Sequence, residues 1–98
     1  MIIQDVASQL KEAGSPVIKV LQNQASGKVL VIGLKKGVSL RKHQTAVPAK
    51  LAVVEGIVSY QQNDSSVTLN KFDDIAIPVN RLHAVEALED SICLLIIG

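Results

Sequence analysis

The feature of this sequence that most restricts its fold is a series of short apolar runs separated by turn-forming residues. Runs rich in Val, Ile and Leu recur about every 8–12 residues, with Gly, Pro, Asn, Asp or Ser between them. About eight of them are long enough for strands: 17–23, 28–34, 38–47, 49–62, 67–70, 74–78, 82–88 and 92–97. The run 49–62 is predicted as one strand that continues past a bend at Gly56. This pattern is typical of a β-sandwich or barrel. We therefore predict an all-β fold, with the barrel spanning 17–97.

The first 14 residues have a different pattern. In "DVASQLKEA" (5–13), Val6 and Leu10 share one helical face, and Asp5 is a plausible N-cap. Gly14 and the proline that follows it would end the helix. The sequence thus predicts a short N-terminal helical segment within 1–14, as part of a single domain covering 1–98.

Composition excludes several classes of partner. Aromatic residues make up only 2% of the 98 residues and the net charge is +1, which disfavours base stacking and a phosphate-binding patch. There is no basic leader followed by a continuous apolar run, and no run approaches the ~20 residues that span a bilayer. We expect a cytoplasmic protein with neither nucleic acid nor membrane as a partner. The single cysteine, Cys93, lies in an apolar run and is interpreted as a buried small hydrophobe.

Strand alternation predicts which side chains of 41–56 face inward. The odd-numbered positions are mostly apolar, whereas the even ones carry Lys42 and Lys50. Glu55 shares the inward parity, but we interpret it as a solvated residue at a strand end. The predicted inward set is His43, Thr45, Val47, Ala49, Leu51 and Val53.

A second histidine follows a predicted turn over 78–81. His83 alternates with Ala84 and Glu86, and because Glu86 is expected to face solvent, His83 should point inward with Val85 and Ala87. Both histidines of the chain are therefore predicted on interior faces of strands.

These residues resemble a known family. "GVSLRKHQTAVPAKLAVVEG" (37–56) is similar to the first cupin motif, in which a Gly precedes His-x-His, a Glu and a closing Gly. "PVNRLH" (78–83) is similar to the second motif, Pro-x-Gly-x-x-His, with Asn80 in the glycine place. The resemblance covers about 28–97 and implies a small, jelly-roll cupin barrel.

The resemblance also implies which residues would hold a metal ion. In metal-binding cupins the two motifs supply three His and one Glu; His43 and His83 occupy the first and last of these places, but Thr45 and Ala49 occupy the other two. Zn²⁺ usually keeps at least three protein ligands. We therefore predict no cofactor, with a divalent metal held by His43 and His83 as the alternative. Oxygen donors are available from Tyr60, Gln61 and Gln62 if the fold brings them close.

Three interpretations of the histidines stay open at this point. They form a hydrogen-bonded pair without a chemical task, or they bind a small polar molecule in a pocket lined by His43, Thr45, Ala49 and His83, or they belong to a metal-dependent enzyme of dioxygenase or isomerase type. Because no carboxylate partner for acid–base work can be placed, we favour metal-free binding of a small polar molecule and assign no catalytic residue.

A homodimer is also expected. The resemblance implies one, since small cupins commonly pair, and the apolar side chains of Ala52, Val54 and the N-terminal "MII" would otherwise be exposed.

Overall fold

The computed structural model describes residues 1–43 and 46–98. One helix, α1 (Ile2–Leu10), precedes nine strands. The strands are β1 (Val17–Gln24), β2 (Gly27–Leu34), β3 (Ser39–His43), β4 (Ala49–Glu55), β5 (Val58–Gln62), β6 (Ser65–Leu69), β7 (Asp74–Ile77), β8 (His83–Ala87) and β9 (Ser91–Ile97). The prediction of an all-β fold with a short N-terminal helix is confirmed.

The strands form two antiparallel sheets. One has five strands in the order β1-β2-β9-β4-β7, and the other has four in the order β3-β8-β5-β6. Apolar side chains fill the space between them, in rows that cross several strands. One such row on the five-stranded sheet is Leu30, Leu95, Leu51 and Ile75.

The run 49–62, predicted as one strand with a bend at glycine, is two strands that belong to different sheets. The chain changes sheet at Gly56, whose φ is +88°. A Cβ at this position would collide with Ser91 and with the Asp90 carbonyl oxygen. The buried Ser91 hydroxyl accepts the Ile57 N–H at 3.1 Å and lies 2.7 Å from the Glu89 carbonyl oxygen. Only glycine therefore fits this crossing.

The helix begins earlier than predicted. Met1 is the N-cap residue, and the Asp5 N–H already bonds to the Met1 carbonyl, so the prediction of Asp5 as N-cap is wrong. The early start adds Ile2 to the apolar face of Val6 and Leu10. This face packs on the outer surface of the five-stranded sheet, where Val31 is fully buried.

The prediction that odd-numbered residues face inward is correct within β4 from Ala49 to Val53, and it fails before and after this stretch. Ala49, Leu51 and Val53 are buried as predicted. Val47 is exposed because it lies before the strand begins. A register shift between Val53 and Glu55 turns Glu55 outward, where its carboxylate lies 3.5 Å from Lys71.

Part of the apolar surface on which the expected dimer was based is covered within the chain. Val54 and Ile2 pack with the helix and the outer face of the five-stranded sheet, and Ala52 is half-buried. A different apolar surface is exposed instead. Ile18 and Val20, on the edge strand β1, are 49% and 48% exposed.

Candidate functional site

A row of polar residues crosses the four-stranded sheet at one end of the barrel. His43 is paired with His83, His83 with Gln62, and Gln62 with Ser65. The side chains of His83, Gln62 and Ser65, which are directly opposed on antiparallel strands, project to the same face. We call these four positions the polar row. For His43 the description extends to its backbone, which places it in the row.

Among the members of this row whose burial is described, His83 is the most buried. It is 2% exposed, and its Nδ1 lies 3.2 Å from the Arg81 carbonyl oxygen. Since a carbonyl oxygen only accepts, Nδ1 is the donor in this contact. The inward orientation predicted for His83, Val85 and Ala87 is confirmed by their burial.

Tyr60 supports the imidazole from the neighbouring strand. Its ring stacks on His83 with centroids 6.0 Å apart and planes inclined by 26°. The Tyr60 hydroxyl donates to Gln62 Oε1 at 2.9 Å. Burial raises the pKa of Tyr60, so the hydroxyl keeps its proton and stays a donor at neutral pH.

Two of the three possible oxygen donors named from the sequence are therefore next to His83. Gln61 is the exception, because it is paired with Ala84 and projects to the opposite face of the sheet. The local sequence does not distinguish the two glutamines. The distinction comes from the pairing of β5 with β8.

The five-stranded sheet presents an apolar surface at the same end of the barrel. Ala49 is paired with both Ile77 and Ile97, and all three face the interior. β4 begins shortly after β3 ends at His43, and β8 begins shortly after β7 ends at Ile77, so these strand ends lie together. Ala49 is thus placed inside the barrel as predicted, but it contributes a methyl group and no polar atom.

An open groove of about 480 Å³ leads to this end of the four-stranded sheet. It runs along the β5–β6 hairpin, past Asn63 and Ser66, and reaches His83 beside the exposed Leu82. The groove gives a small molecule a route toward the polar row.

The described side chains do not fit the metal set of three His and one Glu. Ala49 has no ligating atom at the Glu place, and Glu55, the nearest carboxylate in that strand, is on the outer surface. Thr45 lies outside the described residues. Among the side chains that the structure describes, which exclude those of residues 42–45, no three or more of His, Cys, Asp or Glu are grouped closely enough to hold an ion.

Cys93 does not take part in the polar row. It is buried in the apolar core, and burial raises the pKa of its thiol to about 12. The interpretation of Cys93 as a buried small hydrophobe is confirmed.

Comparison with solved structures identifies the architecture. A cupin superfamily protein from Desulfitobacterium hafniense superimposes with a TM-score of 0.82 at 14% identity, covering 88% of this chain and 79% of that one. A conserved protein with a double-stranded β-helix domain from Klebsiella pneumoniae has the same TM-score at 18% identity, covering 95% and 85%. The chain has the cupin fold. A cupin-2 domain protein from Shewanella frigidimarina covers 97% of this chain and 89% of its own, with a TM-score of 0.72 and 20% identity.

Sequence comparison adds nothing to this result, since no family model and no curated protein match the chain. In the described part of the chain, no helix is long and apolar enough to cross a bilayer.

The cupin fold explains the small and turn-forming residues of the two motifs. Gly37 and Gly56 have φ of +85° and +88°, and Asn80, in the glycine place of the second motif, has φ of +57°. Asn is among the few non-glycine residues that adopt this backbone readily. The glycine places that this chain shares in spacing with the cupin motifs are therefore at backbone turns. The turns at Gly37 and Asn80 precede the strands on which His43 and His83 are paired.

Proposed function

We propose that this cupin-fold protein binds a small polar molecule at the polar-row end of the barrel, without a tightly bound metal ion. The observation that supports the proposal most is His83, a buried imidazole oriented by the Arg81 carbonyl and stacked on Tyr60. A fixed polar group opposite an apolar surface is the arrangement that small-molecule sites commonly use.

The distribution of carboxylates favours binding over acid–base catalysis. None of the nine Asp and Glu side chains is buried, and the one that is half-buried, Glu86, alternates with His83 and Val85 along β8 and so projects away from the interior. A histidine that works as a general acid or base usually needs a positioned partner. The described contacts of the imidazole include a carbonyl oxygen and a tyrosine ring.

Elemental analysis of protein purified without a histidine tag tests the metal-free part of the proposal. We expect metal well below one equivalent, in both the wild type and His83→Gln. Near-stoichiometric Fe, Mn, Ni or Zn that is lost in His83→Gln would contradict it, and would favour the alternative of a metal-dependent cupin enzyme. Thr68→Glu, on the outer face of β6 and outside the groove, is the control for a general effect of substitution.

We also propose that the protein forms a homodimer through the β1 edge. Ile18 and Val20 are opposite the interior residues Ile32 and Leu30 of β2, yet about half of each is exposed. An eight-residue edge strand with apolar side chains is a surface that proteins usually cover. A second copy, related by a two-fold axis, would cover both β1 strands at once.

A further inference from the structure

We propose that Gln62 contacts the ligand and donates a hydrogen bond to it from the side-chain amide. The site would then select a small molecule that presents an acceptor oxygen, carboxylate or carbonyl, beside His83. This inference rests on the proposed binding function and adds to it a contact residue and a ligand class.

The position of Gln62 comes from the strand register. It is paired directly with His83 across β5 and β8, so the two side chains project to the same face. The Cβ atoms of such a pair are about 4.5–5.5 Å apart. One small functional group can therefore contact both side chains.

The orientation of the Gln62 amide is fixed by Tyr60. The tyrosine hydroxyl donates to Oε1, and the tyrosine ring is held in turn by burial and by stacking on His83. An amide whose oxygen accepts this bond must direct its two N–H groups elsewhere. The Tyr60 contact thus determines that Gln62 presents a donor.

The donor is accessible to a ligand. Within residues 1–43 and 46–98, the Tyr60 bond is the only hydrogen bond of the Gln62 side chain, and no fully buried side-chain nitrogen or oxygen lacks a partner. The Gln62 Nε2 must therefore have solvent access. The half-buried position of Gln62 agrees with this.

The surroundings favour an acceptor on the ligand. A carboxylate there meets no buried like charge, because no Asp or Glu is buried among the interior side chains; the groove itself carries the exposed Asp64. The surface across the barrel, formed by Ala49, Ile77 and Ile97, suits an apolar body. The ligand class is accordingly a small molecule with an oxygen acceptor at one end and an apolar remainder.

Three probes of equal size test this assignment: propionate, propionamide and propylammonium. In NMR titrations of the full chain, we expect propionate and propionamide to shift the Gln62 side-chain amide resonances. Both should bind at least about threefold more tightly than propylammonium, which corresponds to one hydrogen bond. Comparison of the first two probes distinguishes a carboxylate ligand from a carbonyl ligand.

Two substitutions on the β5–β6 hairpin separate the hydrogen bond from a general charge effect. Gln62→Glu replaces the donor by an acceptor, and should reverse the order of propionate and propylammonium. Thr68→Glu adds the same charge on the other face of the sheet, outside the groove, and should preserve the wild-type order. Gln62→Met keeps the shape without the donor and should abolish the preference, and thermal unfolding confirms that each variant is folded.

The outcomes distinguish this inference from the binding function on which it rests. A reversal in Thr68→Glu equal to that in Gln62→Glu would overturn the inference. The inference would also be overturned if all three probes shifted the His83 resonances and bound equally tightly. The proposed binding function would then stand. If no probe shifts either His83 or Gln62, the inference is wrong, and the binding function is judged by the ligand screen with His83→Gln.

Discussion

The ring of Tyr60 stacks on the imidazole of His83 while its hydroxyl holds the amide of Gln62. One side chain thus orients two polar groups on adjacent strands. Tyr60 is itself 3% exposed, so the core determines its position. The geometry of the site is in this way tied to the packing of the barrel.

Replacing Tyr60 by Phe should keep the stacked ring and remove only the hydroxyl. We expect a loss of about 1 kcal/mol in the free energy of unfolding, the usual contribution of one hydrogen bond. Urea denaturation measures this change. A loss several times larger would show that the ring itself had moved, and no loss would show that the Gln62 contact contributes nothing in solution.

Gly56→Ala should be among the most damaging single substitutions in the chain. The new methyl group would collide with Ser91 and with the Asp90 carbonyl, on a backbone whose φ of +88° already disfavours alanine. We expect a loss of at least about 3 kcal/mol in the free energy of unfolding. Gly14→Ala is the matched control, since nothing lies within 4 Å of its added Cβ, and it should change stability little. Equal effects of the two substitutions would refute this account of the sheet crossing.

Because of Cys93, the free energy of unfolding should decrease as the pH rises in the alkaline range. Burial raises the pKa of its thiol from 9.0 to about 12, so the unfolded chain loses this proton at a lower pH than the folded one. The associated stability is therefore complete below pH 9 and is lost as the pH rises toward 12. Cys93→Ala lacks this contribution. The difference in unfolding free energy between wild type and variant, measured across this range, should shrink as the pH rises, and a constant difference would contradict the burial of the thiol.

The sequence predicted those parts of the fold that depend on local patterns. Alternation in 49–53 and in 83–87 identified the interior faces correctly, because side-chain period alone determines them once a strand is regular. The bend at Gly56 was also recognised. Its role as a crossing between two sheets depends on Ser91, which is distant in sequence.

The errors have the same origin. Alternation alone would have pointed Glu55 inward; it is solvated, as interpreted from its place at the strand end, because a register shift that only the partner strand reveals separates it from Val53. The Asp5 N-cap failed because Ile2 gains apolar contacts on the sheet by joining the helix. The pairing of Gln62 with His83 joins two strands that are far apart in the chain, so the sequence could name the glutamine but could not place it.

The proposed dimer has a direct test in solution mass. Size-exclusion chromatography with light scattering should give twice the chain mass of 10.5 kDa at micromolar concentration. Val20→Lys places a charge on the exposed side of β1 and should shift the mass toward that of one chain, whereas Ser66→Lys, on the exposed strand β6, should not. A wild-type mass of 10.5 kDa would refute the dimer.

The central claim is metal-free binding of a small polar molecule at His83, and thermal unfolding in the presence of a chelator tests it most directly. A library of small polar metabolites is screened against the wild type and His83→Gln with EDTA present. A ligand at 100 times its Kd adds about 2.7 kcal/mol of stability, which is readily detected. We predict that at least one compound stabilises the wild type in EDTA and fails to stabilise His83→Gln. Stabilisation that appears only when a divalent metal is supplied, and disappears on chelation, would contradict the claim.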